Sequence, residues 1–223
     1  MKKVFARTIH SETSPISGSI TVKDNGIVRE LFVKGIKQTS WSDDPSQFEG
    51  TYWKAAVSPP FPMTSKKPQF LVVGLGGGTI PKLLTNKYPN CQIVCLEIDP
   101  SIIKIAQDLF NLKDFANIKI IEADANLWIT KNKEKYLKHF DAIFLDAFFG
   151  ESFSFDTQME MMNKVQTMLK KNGVVITNRI YNEYEEKVNA FIVQLSDIFP
   201  EQAMQIIEGF SGNDNIIIFS KNK

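Results

Sequence analysis

Five short apolar runs, each followed by a stretch long enough for a helix, limit what this chain can fold into. The runs are FLVVG at 70–74, QIVCLEI, IKIIEA, DAIFLDA and GVVITN. Runs this apolar are typical of strands buried on both faces, as in a parallel sheet. The segments between them, 79–88, 100–110, 125–138 and 156–171, are therefore predicted to be crossover helices on both faces of that sheet.

The two ends of the chain indicate additional β structure. A further helix is predicted at about 182–198, after which MQIIEGF and NIIIFSK flank a Ser-Gly-Asn-Asp turn and predict an antiparallel hairpin that closes the sheet. Near the start, ISGSITV and IVRELFV flank Asp24-Asn25-Gly26 and predict a second hairpin. A helix-capable segment at 52–57 and four prolines between 59 and 68 follow it. We expect a β-rich N-terminal extension at 1–60 and one α/β domain at 61–223.

Composition excludes several classes of function. The 223 residues carry a formal charge of +1, and Lys and Arg are scattered, which argues against a nucleic-acid or membrane-surface partner. Because no segment has the apolar length of a signal peptide or a membrane span, we expect a cytoplasmic protein. Cys91 and Cys95 lie around a predicted buried strand and are interpreted as core thiols. No metal-ligand cluster is found, so no metal is expected.

A glycine-rich turn between the first parallel strand and the next helix is the first candidate site. It reads Gly74-Leu75-Gly76-Gly77-Gly78-Thr79. Glycines let a backbone turn sharply and approach a ligand, and the following helix N-terminus offers free N–H groups. Gly74, Gly76 and Gly78 are therefore candidate cofactor-binding residues, although such a turn can also serve tight strand-to-helix packing alone.

Two acids follow at spacings that suit a nucleoside. Glu97 ends the second strand about 20 residues after the glycine turn, where a carboxylate can accept ribose hydroxyls, and Ile98 beside it is a further candidate. Asp124 and Ala125 follow the third strand, where they can read adenine or begin a helix with an Asp cap; both roles remain open. Thr79 replaces the third glycine of a dinucleotide motif, which favours an S-adenosyl compound over a nicotinamide cofactor.

The reaction side is predicted at the end of the fourth strand. Asp146 ends that strand in FDAIFLDAFFG, and the carboxyl ends of strands border the ligand crevice in open α/β sheets. Asp146 is therefore the candidate catalytic residue. The aromatic residues that follow can form a pocket wall or simply pack; they are Phe148, Phe149, Phe153 and Phe155.

The ordered set VVGLGGGT, CLEIDPSIIKIAQDLF, EADA and FDAIFLDAFFG, with VKGIKQTS and TYWKAAV upstream, resembles the spermidine synthase (polyamine aminopropyltransferase) family. The resemblance implies a Rossmann-like methyltransferase fold, with a mostly parallel seven-stranded sheet, helices on both faces and a C-terminal antiparallel hairpin. It also implies that Gln38 and Tyr52 contact ligands, that Glu97 holds the ribose and that Asp124 contacts adenine. Asp146 matches the first acid of that family's D-S-S-D-type loop.

Two departures from the family bear on the chemistry. Phe149 stands where the second acid of that loop would deprotonate the attacking amine, and a neutral aromatic ring cannot act as a base. The glycine turn also lacks the Asp that holds the amino group of decarboxylated S-adenosylmethionine, since only Gly76 or Gly77 stands there. Glu151 is a candidate substitute, and it joins Tyr52 and Phe149 as a predicted substrate-binding residue.

The leading hypothesis is a transferase that uses S-adenosylmethionine or its decarboxylated form as co-substrate and moves an aminopropyl group to an amine. The resemblance implies a polyamine as the small-molecule acceptor. Methyl transfer and non-catalytic nucleoside binding remain alternatives. The family also implies a homodimer paired through the N-terminal hairpin, but packing of that hairpin within one chain satisfies the same pattern.

Overall fold

The described part of the protein contains two β-sheets and six α-helices. A computed structural model describes residues 5–146, 155–180, 185–208 and 214–223; the side chains of 155–157 lie outside this description. The N-terminal sheet contains β1 (Arg7–Ser14), β2 (Gly18–Asp24), β3 (Arg29–Val33) and β4 (Ile36–Trp41). The second sheet contains β5 (Gln69–Val73), β6 (Gln92–Glu97), β7 (Ile118–Glu122), β8 (Phe140–Leu145), β9 (Leu169–Ile180), β10 (Glu201–Ile207) and β11 (Asn215–Lys221).

The second sheet has the predicted architecture. Its order is β10-β11-β9-β8-β5-β6-β7; β5 to β9 are parallel to one another, and β11 is antiparallel to both of its neighbours, β9 and β10. Its helices are α1 (Tyr52–Ala56), α2 (Thr79–Lys87), α3 (Pro100–Leu109), α4 (Ala125–Asn132), α5 (Phe155–Met168) and α6 (Glu185–Ile198). One buried cluster joins the sheet to α1, α2 and α3, and a second joins it to α4, α5 and α6. The predicted α/β fold with helices on both faces is thus confirmed.

Two helices are shorter than the sequence predicts. The segment predicted as helix to residue 138 leaves the α-helix after Asn132 and continues as turns, and Lys138 has a φ of 49°. The helix predicted to end at 171 ends at Met168, because Leu169 already pairs with Phe140 of β8. A register shift in this pairing lets β9 begin earlier than its apolar run does.

The N-terminal extension forms a larger sheet than a hairpin. The predicted pairing of β2 with β3 is present, and β1 and β4 add one strand to each side. Ile20, Val22 and Leu31 on one face of this sheet are fully buried against Ile102 and Ile105 of α3. The sheet therefore shares a core with the helix that follows β6.

Hydrogen bonds also join the N-terminal sheet to α3 at both ends of this helix. Asp99 caps α3 by accepting from Ser101 N at 2.9 Å, and it also accepts from Ser14 Oγ at 2.6 Å and from Ser17 N at 3.2 Å. At the other end of α3, the Arg29 guanidinium donates to the Leu109 carbonyl. The N-terminal sheet is consequently held along the whole length of α3.

A buried lysine lies where β4 meets α2. Lys82 is 1% exposed, and its ammonium donates to the Phe110 carbonyl at 2.9 Å and lies 3.5 Å from the centroid of the Trp41 ring. Burial lowers the pKa of Lys82 to about 7. The contact with the indole ring favours the charged form and opposes part of that effect.

Cys91 and Cys95 are both buried free thiols, as predicted for core residues. Within the described ranges, no helix is long and apolar enough to cross a membrane. The same part of the chain holds no cluster of three or more His, Cys, Asp or Glu side chains that could bind a metal ion.

Candidate active site

The sequence-predicted acids meet at the carboxyl ends of the parallel strands in the large sheet, which we call the strand edge. Backbone hydrogen bonds join the ends of its neighbouring strands: Asp146 N to Val73 O at 3.0 Å, Gly74 N to Leu96 O at 3.0 Å, and Ala123 N to Glu97 O at 2.8 Å. Because neighbouring strands lie about 4.8 Å apart, Asp146, the glycine turn, Glu97 and Asp124 follow one another along this edge. It is the edge at which open α/β sheets bind ligands.

The glycine turn takes a path that requires glycine. Gly74, Gly76 and Gly78 have φ values of 91°, 51° and 83°, a region that residues with a Cβ atom rarely adopt. Gly78 is the N-cap of α2 and makes no side-chain cap. The turn therefore presents bare backbone to the edge of the sheet, which suits the predicted nucleoside site.

The N-terminal sheet packs directly against this turn. Thr39 Oγ1 accepts a hydrogen bond from Gly77 N at 2.6 Å, and Thr79 Oγ1 donates to Ser40 O at 3.0 Å. Gln38, the family-implied ligand contact, is half-buried beside them, and its carbonyl oxygen faces Gly76. The sequence does not predict the role of Thr39, because nothing in the polar segment around it indicates a contact with the glycine turn.

Contact with Thr39 leaves no room for a side chain at position 77. A Cβ atom on Gly77 would lie 2.6 Å from Thr39 Cγ2 and 3.0 Å from a Phe110 ring carbon. We predict that Gly77→Ala lowers the free energy of unfolding by about 1–3 kcal/mol, the usual range for overpacking. Urea denaturation will measure it. Adding Thr39→Ser, which removes Cγ2, should recover part of the loss; no recovery would mean that the Thr39 contact is not the cause.

Glu97 is held by three backbone N–H groups. Oε2 accepts from Leu75 N at 3.0 Å, while Oε1 accepts from Ile98 N at 2.9 Å and Asp99 N at 3.0 Å. A carboxylate oxygen has two acceptor positions, so Oε2 retains one for a ligand hydroxyl. Glu97 thus links the glycine turn to the end of β6 and still offers an acceptor at the edge.

The adenine side of the predicted site combines a helix cap with exposed apolar surface. Asp124 caps α4 by accepting from Leu127 N at 2.9 Å through Oδ1, and Ala125 begins that helix. The cap uses one oxygen, which leaves Oδ2 available. Ile98, next to Glu97, is 47% exposed. An exposed isoleucine next to the Glu97 carboxylate is suited to cover one face of a planar ring.

Asp146 lies in a polar cluster with Tyr52, which the sequence predicts as a site residue, and Asn178, which it does not. Tyr52 Oη donates to Asp146 Oδ2 at 3.3 Å, and Asn178 Nδ2 donates to Asp146 Oδ1 at 3.3 Å. Asn178 was missed, although its place directly after the apolar run of β9 is the same signal that selected Asp146. Asn178 Oδ1 is buried and has no hydrogen-bond partner among the described residues.

The surroundings of Asp146 alter its acidity. Asp146 and Asn178 share a small pocket whose other walls are apolar: Ala56, Ile80, Phe144, Leu145 and Ile176. Burial raises the pKa of Asp146 from 3.8 to about 7, although the hydrogen bonds from Asn178 and Tyr52 act in the opposite direction. Burial and the neighbouring carboxyl group raise the pKa of Tyr52 well above 10, so it remains a donor. A carboxyl group poised near neutral pH can exchange a proton with a substrate.

A larger pocket, of about 240 Å³, lies away from this edge, between β4, α1 and α2. Its charged lining residues are Asp43 and Lys54, and the latter already pairs with Glu49 at 3.4 Å. None of the candidate residues lines it. The candidate site is therefore the strand edge, where polar groups from several strands converge. Phe149 and Glu151, the remaining predicted substrate-binding residues, lie outside the described part of the chain.

Comparison with known families agrees with this geometry. The family model described as a methyltransferase domain matches residues 65–213, which include β5 to β10 and every acid of the strand edge. The chain belongs to this methyltransferase domain family. The predicted methyltransferase fold is thereby confirmed, and the N-terminal sheet precedes the region that the family model covers.

Individual relatives of this methyltransferase-family chain divide between two kinds of transferase. It is 32% identical over 114 residues to a polyamine aminopropyltransferase of Vibrio vulnificus, and 31% identical over 148 residues to the eEF1A lysine and N-terminal methyltransferase of Bos taurus. These alignments cover 51% and 62% of this chain but only 38% and 21% of the relatives. The matches thus span well under two thirds of either relative.

A solved structure extends the likeness to nearly the whole chain. Spermidine synthase from Thermotoga maritima superposes with a TM-score of 0.75 at 19% identity, covering 97% of this chain and 73% of that one. The likeness therefore includes the N-terminal sheet as well as the methyltransferase domain. The resemblance to the spermidine synthase fold seen in the sequence is confirmed at the level of fold.

Proposed function

We propose that this protein is a transferase that moves an alkyl group from an S-adenosyl-type sulfonium donor to an amine, with aminopropyl transfer as the specific reaction. The observation that carries the proposal is the Asp146 carboxyl group, which has a pKa of about 7 and lies on the same strand edge as the glycine turn and Glu97. A base thus stands beside a backbone surface suited to a nucleoside. The aminopropyltransferase relatives support the same assignment.

The residues present fit the nucleoside part of such a donor. The remaining acceptor position of Glu97 Oε2 suits a ribose hydroxyl, and Asp124 Oδ2 can accept from the exocyclic amine of adenine. Ile98 offers an apolar face to the ring. The bound donor supplies a sulfonium carbon that is already activated for displacement, so the protein needs mainly to align the acceptor with it.

The Asp146 carboxylate would accept the proton that the acceptor amine loses. The amine nitrogen attacks the carbon next to sulfur; the N–C bond forms as the C–S bond breaks, and the sulfonium becomes a neutral thioether. The resulting ammonium then transfers one proton to the Asp146 carboxylate, which releases it to solvent. Tyr52 and Asn178 hold the carboxyl group in place from two sides.

Methyl transfer is the second candidate, and one observation favours it. Position 77 has no room for a side chain, so the turn cannot supply an acid there to hold the amino group of an aminopropyl donor. A donor with a methyl group to transfer would not need that contact. The eEF1A methyltransferase relative is consistent with this alternative.

Release of the thioether product separates the candidates. Purified protein is incubated with decarboxylated S-adenosylmethionine and 1,4-diaminobutane or, in a separate assay, with S-adenosylmethionine and a protein or peptide amine. Aminopropyl transfer predicts methylthioadenosine from the first donor at a rate at least ten times that of the no-enzyme control. S-adenosylhomocysteine from the second donor, with a protein or peptide amine as acceptor, would replace aminopropyl by methyl transfer. Release of neither thioether would contradict the proposed transferase.

A further inference from the structure

We infer that Thr39 is a positioning residue for donor binding, through which the N-terminal sheet holds the glycine turn in its binding conformation. The inference rests on the proposed function, because it concerns the same nucleoside site. Thr39 lies on β4, outside the methyltransferase domain that the family model covers. The nucleoside site would thus be completed by a segment that does not belong to that domain.

The glycine turn fixes its own conformation only in part, through one hydrogen bond from Gly78 N to Leu75 O at 2.9 Å. Gly74, Gly76 and Gly78 all have positive φ, and glycine visits positive and negative φ about equally readily. Such a backbone needs contacts from outside to select one path. The main domain supplies the Glu97 carboxylate, which accepts from Leu75 N, and a β6 carbonyl, which accepts from Gly74 N.

Thr39 supplies the contact on the other side of the turn. It is 1% exposed, and its hydroxyl accepts from Gly77 N at 2.6 Å. Its methyl group lies 2.6 Å from the position of a Cβ on Gly77, and its hydroxyl oxygen lies 2.7 Å from that of a Cβ on Gly76. Both the hydroxyl and the methyl group of Thr39 therefore lie against the turn at Gly76 and Gly77.

Loss of the hydroxyl would release the turn. Valine has the shape of threonine but no acceptor, so in Thr39→Val the buried Gly77 N–H loses its partner. A buried N–H without a partner is strongly disfavoured, and rotation about the glycine backbone is the easiest way to reach another acceptor. The path of the turn past the donor would change as a result.

The test compares three variants by calorimetric titration with S-adenosylhomocysteine and with methylthioadenosine. Thr39→Val should bind at least tenfold more weakly than the wild type. Thr39→Ser keeps the acceptor and should bind within threefold of the wild type. The matched control is Arg29→Gln, which removes the Arg29 to Leu109 contact between the N-terminal sheet and α3 but takes no hydrogen-bond partner from the glycine turn; it should also bind within threefold, even with a lower melting temperature.

Two results of the titration would overturn the inference: binding by Thr39→Val within threefold of the wild type, or an equal loss in Arg29→Gln, which would indicate a general loosening of the contact between the N-terminal sheet and α3. Exchange of the Gly77 amide hydrogen in the ligand-free protein provides a readout that is independent of the ligand. Thr39→Val should accelerate this exchange at least tenfold and Thr39→Ser should not; unchanged exchange would also overturn the inference. A wild type that binds neither nucleoside would contradict the proposed function, while the exchange measurement would still decide the role of Thr39.

Discussion

Asp146→Asn is expected to reduce the rate of transfer by about 10²- to 10⁴-fold, the range typical of a lost acid–base group. An amide keeps the size of the carboxyl group but cannot accept the proton from the ammonium product. Donor binding should change less than threefold, because the proposed nucleoside contacts are at the ends of β5, β6 and β7. Steady-state rates and calorimetric titration of the same preparation measure the two effects.

The same substitution should stabilise the protein at high pH. The pKa of Asp146 is raised from 3.8 to about 7 in the folded state, so between these values the folded protein retains a proton that the unfolded chain has released. Its contribution to stability is fully present below about pH 4 and is lost as the pH rises through 7. The stability gained by Asp146→Asn should therefore be larger at pH 8 than at pH 5, by about 1–2 kcal/mol for a half-buried group.

Asp141→Asn is the matched control. Asp141 lies near the start of β8, where it accepts from Gln69 N at 2.8 Å and pairs with Lys170 at 2.7 Å. Its loss should lower stability without reducing transfer.

For the wild type, kcat/KM should rise with pH through about 7 as Asp146 loses its proton. An Asp146→Asn variant that transfers at the wild-type rate would remove this residue from the mechanism.

Glu97→Gln is expected to weaken nucleoside binding by about 10- to 150-fold, since one hydrogen bond to a charged group is worth about 1.5–3 kcal/mol. An amide has only one acceptor oxygen. If that oxygen serves Ile98 N and Asp99 N, the amide nitrogen faces Leu75 N–H and cannot accept from it. The free energy of unfolding should then fall by about 1–3 kcal/mol.

The control for Glu97 is its cross-strand partner. Glu122 pairs with Glu97 in the register of β6 and β7, and its side chain is exposed. Glu122→Gln changes the charge equally but should alter neither binding nor stability measurably. If the two variants lost affinity to the same degree, the cause would be the general loss of negative charge rather than the contacts of Glu97.

The sequence predicts the large sheet well because its strands are buried on both faces and appear as uninterrupted apolar runs. β1 and β4 were not predicted from composition. β1 reads RTIHSETS, and its residues are mostly exposed or half-buried, so no apolar alternation marks it. β4 contains only Ile36 and Trp41 as large apolar residues, and Ile36 is itself exposed. Pairing with β2 and β3 makes both segments strands, and a local pattern does not contain that information.

The candidate site likewise contains residues that the sequence can predict and residues that it cannot. Glu97, Asp124 and Asp146 could be selected because each follows an apolar run, and parallel strands bring such positions to one edge. Asn178 meets the same criterion after β9. Thr39 does not, since its partner Gly77 is 38 residues away and lies in a separate part of the fold. Contacts between the N-terminal sheet and the glycine turn depend on tertiary packing alone.

The contact between Trp41 and Lys82 gives the protein an intrinsic optical probe. An indole ring with an ammonium group 3.5 Å from its centroid emits at a wavelength that depends on the position of that charge. Trp41 follows Thr39 by two residues, and Lys82 lies on the helix that begins at the glycine turn. A movement of the turn relative to the N-terminal sheet, such as we expect in Thr39→Val, would therefore change the emission of Trp41. Replacement of the two other tryptophans, Trp53 and Trp128, by phenylalanine would isolate this signal without a chemical label.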